Sequence, residues 1–264
     1  MNILIRELKA NFKSLIIWSV ITILFTVVGF LKFSAYFNNP EMSAILDDFP
    51  PAMVEALSLK AFNLTTVTGF FGIMFAYYGL LLSVAAVMWG SDIISKEERD
   101  KTVEFALTLP VTRQRLVTAK IITALINCIG LALITTGIML VMAQNYQPDG
   151  EFYSFMSLGM LALFIMQMIF LAVGIFLGCA LKQYRRAGSI AVSLLLATYF
   201  LSIISSLNKD LDFLKYFSPF KYFDPVKILH ESKMDMLFVG LAVAIIAVCL
   251  VGGYLAYSKR DLYI

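Results

Sequence analysis

Long apolar runs separated by short polar connections set the pattern of this chain. They lie at about 14–33, 67–91, 116–143, 155–181, 187–206 and 236–257. Each approaches the roughly 20 residues that a helix needs to cross a bilayer, and the third and fourth are long enough to tilt or to project beyond the lipid. The apolar character is continuous rather than alternating, which predicts helices rather than a β-barrel. The expected fold is all-α, a polytopic bundle of six transmembrane helices in a single transmembrane domain over residues 1–264.

Composition agrees. Of 264 residues, 60% are hydrophobic and 15% charged, and the mean hydropathy is +0.83. A soluble domain is closer to half apolar and a quarter charged. The net charge of +3 is too small to imply a nucleic-acid partner. Cys128, Cys179 and Cys249 fall in or at the ends of apolar runs, far apart, and read as small hydrophobes rather than as disulfides or metal ligands. The run Leu15–Leu31 is too long for the apolar core of a cleavable signal and lacks a small-residue cleavage site after it, so it is expected to stay as a span.

Six spans put both chain ends on one side of the membrane, and charge decides which. One side collects fourteen basic residues, among them Arg6, Lys9, Lys13, Arg185, Arg186, Lys259 and Arg260; the other collects seven, all lysines. Every arginine sits with the larger group. The termini are therefore expected in the cytoplasm.

The densest block of charge is the connection from Ser91 to Lys120. Lys96, Arg99, Lys101, Arg113, Arg115 and Lys120 alternate there with Asp92, Glu97, Glu98, Asp100 and Glu104. Ser95 with Glu98 three residues later is a capping-box pattern, predicting a short helix from Ser95. Pro110 ends it, because its ring disfavours helical geometry at Leu109, and Thr112 is placed to cap the next helix. Two readings stand side by side: a solvated loop that only sets orientation, or a docking element for another protein.

Elsewhere, Met1–Lys13 mixes Ile3, Leu4, Leu8 and Phe12 with Arg6, Glu7, Lys9 and Lys13. It reads either as an amphipathic helix lying at the interface or as a plain extension of the first span. In the loop 34–66, Met42–Leu46 and Ala52–Leu59 are expected as short helices around Phe49-Pro50-Pro51. Gly72, Ala76, Gly79 and Ser83 in the second run, with Gly174 and Gly178 in the fourth, let helices approach closely, within the bundle or across a dimer seam. Ser218-Pro-Phe-Lys-Tyr-Phe-Asp-Pro225 carries aromatics suited to a membrane interface and two helix-breaking prolines. His230 is alone in a polar loop and reads as surface.

Several of these stretches resemble one family. The acidic pair Glu97-Glu98, then Lys101-Thr102-Val103-Glu104, then Leu-Thr-Leu-Pro-Val-Thr-Arg113 and Lys120 are similar to the cytoplasmic coupling segment of ABC-2 type permeases, the membrane subunits of ATP-binding cassette transporters. Members more often have Gly where Asp100 or Lys101 stands. The segment Ser218–Pro225 and the terminal Arg260-Asp261 also fit. The resemblance implies an exporter-like bundle with an N-terminal interfacial helix and a cytoplasmic coupling helix. Its ATPase-coupling interface would include Ser95, Glu97, Glu98, Arg99, Thr102, Glu104, Pro110 and Arg113, with Lys120, Arg185, Arg186, Arg260 and Asp261 as interfacial anchors. It further implies separate ABC ATPase subunits as partners, a second permease subunit (identical or homologous), and a bacterial inner-membrane location.

The chain carries no G-x-x-x-x-G-K-[ST] loop, so ATP and Mg would be bound by the partner and no cofactor is expected in this chain. It shows no H-E-x-x-H or G-x-S-x-G motif, and spans two to six have no ionisable residue at their centre; Asn127 and Gln167 are the larger polar groups there. No catalytic or metal residue is nominated. The expected function is export of a hydrophobic or amphipathic substrate, such as a peptide antibiotic, drug or lipid-like molecule. The alternative is a non-transporting scaffold or sensor that binds a cytoplasmic protein through the 91–120 loop.

Overall fold

A computed structural model describes residues 3–39, 62–99, 112–181, 183–207 and 209–259. The apolar runs form α1 (Ile3–Phe33), α2 (Val67–Arg99), α3 (Arg113–Ala143), α4 (Gly150–Ala180) and α5 (Tyr184–Leu207). After 3-10 turns at Lys209–Phe217 and Pro219–Lys221 come a short α6 (Pro225–Glu231) and the last long helix, α7 (Met236–Lys259). Among the described residues, six helices are long and apolar enough to cross a membrane. At 1.5 Å per residue, the 33 residues of α2 extend about 50 Å, well beyond a hydrocarbon core of about 30 Å. The charged end of α2 therefore protrudes. It does so at the end of the bundle where the first and last described residues also lie, termed the inner end.

Local sequence sets the helix starts. Thr112 caps α3, its hydroxyl accepting the Arg115 amide at 3.3 Å. Asp149 caps α4 by accepting the Phe152 amide at 2.8 Å. Asp224 caps α6 ahead of Pro225, which occupies the first helical position where its missing N–H is harmless.

α2 and α4 form the centre. They pack on each other more extensively than any other pair and bury most of their apolar length, whereas α1, α3, α5 and α7 leave most of theirs exposed. One spanning helix, α3, intervenes between them in the chain, so α2 and α4 run parallel. Glycine brings the backbones together: a Cβ on Gly90 would lie 2.5 Å from the Leu171 carbonyl oxygen, and one on Gly174 would lie 2.4 Å from that of Val87. The small-residue pattern is thus spent on packing within this chain. Without a hydrophobic drive between helices in lipid, such close backbone contact is a main source of cohesion. α7 packs on α4, α5 on α2, and α1 chiefly on α3. Phe30, Phe33, Phe37, Phe70 and Tyr146 close the outer end of α1, with the Phe33 and Phe70 rings stacked at 4.7 Å.

Two expectations change. The segment Ile3–Lys13 is not a separate interfacial helix; α1 runs through it unbroken, because nothing between Lys9 and Leu15 interrupts helical geometry. Ser95 does not start a helix either. It lies inside α2, buried, and its hydroxyl donates to the Ser91 carbonyl at 2.8 Å, so the capping-box pattern goes unused. The short helices expected at Met42–Leu46 and Ala52–Leu59 lie outside the described residues.

Candidate functional site

The residues of α1 are turned polar side inward. Glu7, Asn11, Ser19, Thr22 and Thr26 are buried, while Ile16, Ile17, Val20, Ile21, Leu24 and Val28 are exposed. Ser19, Thr22 and Thr26 each return a hydrogen bond to a carbonyl one turn back, which satisfies a hydroxyl in lipid without a second helix. Two further bonds cross to α2: the Tyr78 hydroxyl to Thr26 at 2.9 Å and the Trp89 indole N–H to Ser14 at 2.8 Å.

Below that seam, toward the inner end, a cavity of about 900 Å³ opens between α1, α2 and α5. Its wall is amphipathic. Trp18, Met88 and Trp89 supply apolar surface; Ser14, Ser91, Ser95, Ser189 and Ser193 supply hydroxyls; Asp92 supplies a carboxylate. Gly188 keeps α5 close to the Ser91 side chain. The volume is that of a site for a drug-sized molecule.

The inner end of α2 is tied on two sides. Lys120 on α3 is buried completely and donates its ammonium to the Ile93 carbonyl at 2.5 Å. Lys96 reaches the Ala10 carbonyl of α1 at 3.2 Å. A buried ammonium is costly unless its protons are taken up by acceptors, so Lys120 holds α2 and α3 in one register. The headgroup depth expected for Lys120 does not match its place, because it falls on the buried stripe of α3 with Leu116, Val117, Ala124, Asn127 and Cys128.

The other nominated residues fall as follows. Ser95 lines the cavity. Glu97, Glu98 and Arg99 close α2 and Arg113 opens α3 as backbone; their side chains, with that of Arg185, lie outside the described part. Arg186 is exposed at the start of α5. Thr102, Glu104, Pro110, Arg260 and Asp261 lie outside the described residues.

Three polar side chains inside the bundle were read from the sequence only as span residues. Ser83, Asn127 and Gln167, on α2, α3 and α4, are buried. Among the described residues, the Ser83 hydroxyl, the Asn127 amide nitrogen and both amide atoms of Gln167 find no hydrogen-bond partner. At the outer end, Tyr222 and Phe223 are buried rather than spread at an interface, with Tyr222 stacked on Phe238 at 5.2 Å.

No curated protein matches this chain. A family model described as ABC-2 family transporter protein matches residues 1–262, nearly the whole sequence. Together with the six helices long and apolar enough to cross a membrane among the described residues, that match assigns the chain to the ABC-2 transporter family, as the membrane-embedded permease subunit of an ATP-binding cassette transporter.

Proposed function

We propose that the chain exports a hydrophobic or amphipathic substrate, driven by ATP hydrolysed in separate cytoplasmic subunits that grip the connection between α2 and α3. The observation that carries this is the inner cavity of about 900 Å³, walled by tryptophan and serine beside the protruding end of α2. A substrate with an apolar body and a few hydrogen-bonding groups matches such a wall. The excess of arginine and lysine at this end supports a cytoplasmic inner face in a bacterial inner membrane. A second permease subunit, identical or homologous, would complete the pathway, and ATP with Mg would sit in the partner ATPases.

Nucleotide can shift inward and outward states only through contacts that differ between them. α2 is the element placed to convert such contacts into movement, since it walls the cavity and runs on to the charged connection. The test is reconstitution with the co-purifying ATPase in liposomes. Filling the cavity with Ser193→Trp should abolish substrate-stimulated ATP hydrolysis while leaving basal hydrolysis intact. A stoichiometric partner that lacks any nucleotide site would instead favour the scaffold reading.

A further inference from the structure

At the opposite, outer end the described residues enclose a second pocket, of about 420 Å³, with a different chemistry. Four lysines line it, Lys215, Lys221, Lys227 and Lys233, against three aspartates. The aspartates are already engaged. Asp212 pairs with Lys215 at 2.5 Å. Asp224 accepts the Val226 amide at 2.9 Å, and Asp235 accepts the Leu237 amide at 3.0 Å.

Lys221 is left over. It is half-buried, yet its ammonium makes no hydrogen bond or ion pair among the described residues. Burial pushes its pKa down, and the nearby charges of Asp224 and then Asp212 only partly oppose this. A half-buried ammonium that no carboxylate contacts directly among the described residues is a ready seat for an anion that completes the site.

Lys221 has a second neighbourhood. With Asp224 and Phe223 it also lines a narrow cavity of about 120 Å³ that runs down between α2, α4 and α5. Phe75, Tyr77, Tyr199, Ile203 and Phe220 give that slot a largely aromatic wall, interrupted by the hydroxyls of Ser202 and Ser206, and Tyr77 is exposed. One lysine thus stands where a cationic pocket meets a largely aromatic slot.

We infer that this joint site binds an amphiphile with a single anionic headgroup, a phosphate diester or carboxylate, held by Lys221 with Lys227 and Lys233, its tail lying in the slot. Either an outer-leaflet acidic lipid or an exported acidic amphiphile supplies that chemistry.

The test uses the full-length purified protein in neutral detergent, with dihexanoyl-phosphatidylglycerol as probe in equilibrium dialysis at fixed salt. Lys221→Gln should weaken binding at least tenfold, and the exposed pair Lys227→Gln/Lys233→Gln should weaken it severalfold. Lys221→Arg should stay within threefold of wild type, and Lys32→Gln, on α1, should change nothing. Inorganic phosphate should displace the probe only at far higher concentration. Equal affinity in wild type and Lys221→Gln would overturn the site. Displacement by phosphate at concentrations equal to the probe would overturn the tail slot. Lipids extracted from the wild type and from Lys221→Gln then separate the sources. Acidic lipid enriched only in the wild type identifies the membrane as supplier, and probe binding without such enrichment identifies a transported molecule.

Discussion

The ammonium of Lys120 on α3 donates to the main-chain carbonyl of Ile93 on α2, with the lysine fully enclosed. A charge held this way costs several kcal/mol to desolvate, and replacing such a group by an apolar one of similar volume is often neutral or stabilising. Lys120→Met should therefore insert and fold with an unchanged or higher Tm, while transport-coupled ATP hydrolysis falls because α2 and α3 lose their shared register. Parallel measurement of Tm in detergent and of ATPase activity in liposomes checks this. A large drop in Tm with coupling intact would show that the lysine is merely structural.

Gly174 on α4 faces the Val87 carbonyl of α2, and a methyl group there would stand 2.4 Å from its oxygen. Backbone cannot step aside as a flexible side chain can, and overpacking typically costs about 1–3 kcal/mol. Gly174→Ala should lower Tm clearly. Gly137→Ala, with nothing within 4 Å of the added atom, serves as the matched control and should be neutral or slightly stabilising.

Gln167 is buried in α4, and neither amide atom has a hydrogen-bond partner among the described residues. An unsatisfied buried polar group costs about 1–3 kcal/mol, and removing it in favour of an apolar group of like shape recovers much of that. Gln167→Met should raise Tm. A fall would reveal that an ordered water or a rearranged neighbour satisfies the amide.

Charge reversal at Glu98 and Glu104 together should leave membrane insertion intact but uncouple ATP hydrolysis from transport. Native electrophoresis of the complex and paired transport and hydrolysis assays read the two effects separately. Undiminished coupling in the double variant would argue against docking through this connection.

The spans were legible because a membrane helix is written in runs of about 20 apolar residues, and the cap at Thr112 was readable as local hydrogen-bond chemistry. Helix partners were less so. Gly90 and Gly174 announce a close approach, but only the packed structure shows that they approach each other. Lys120 looked like a headgroup anchor because charge at a span end usually snorkels. Its register with Leu116, Val117, Ala124 and Cys128 already pointed inward. Ser95 misled because Ser-x-x-Glu fits a helix start and a helix interior equally well, and continuous apolar packing back to Val67 decided for the interior. The cavity was unreadable: Ser14, Ser91 and Ser189 come from three separate spans and converge only in three dimensions.

The hydroxyls of α1 bond mostly to their own helix, and among the described residues two of them, Ser14 and Thr26, also clasp α2, through Trp89 and Tyr78. A helix that is self-sufficient in this way can part from its neighbour without stranding donors in hydrocarbon. Membrane double-mutant cycles average about 0.6 kcal/mol per interhelical hydrogen bond, so undoing both clasps asks for little more than thermal energy. Parting α1 from α2 beside the cavity therefore costs few hydrogen bonds, which makes the α1–α2 seam a natural side door for cargo that arrives already dissolved in the bilayer.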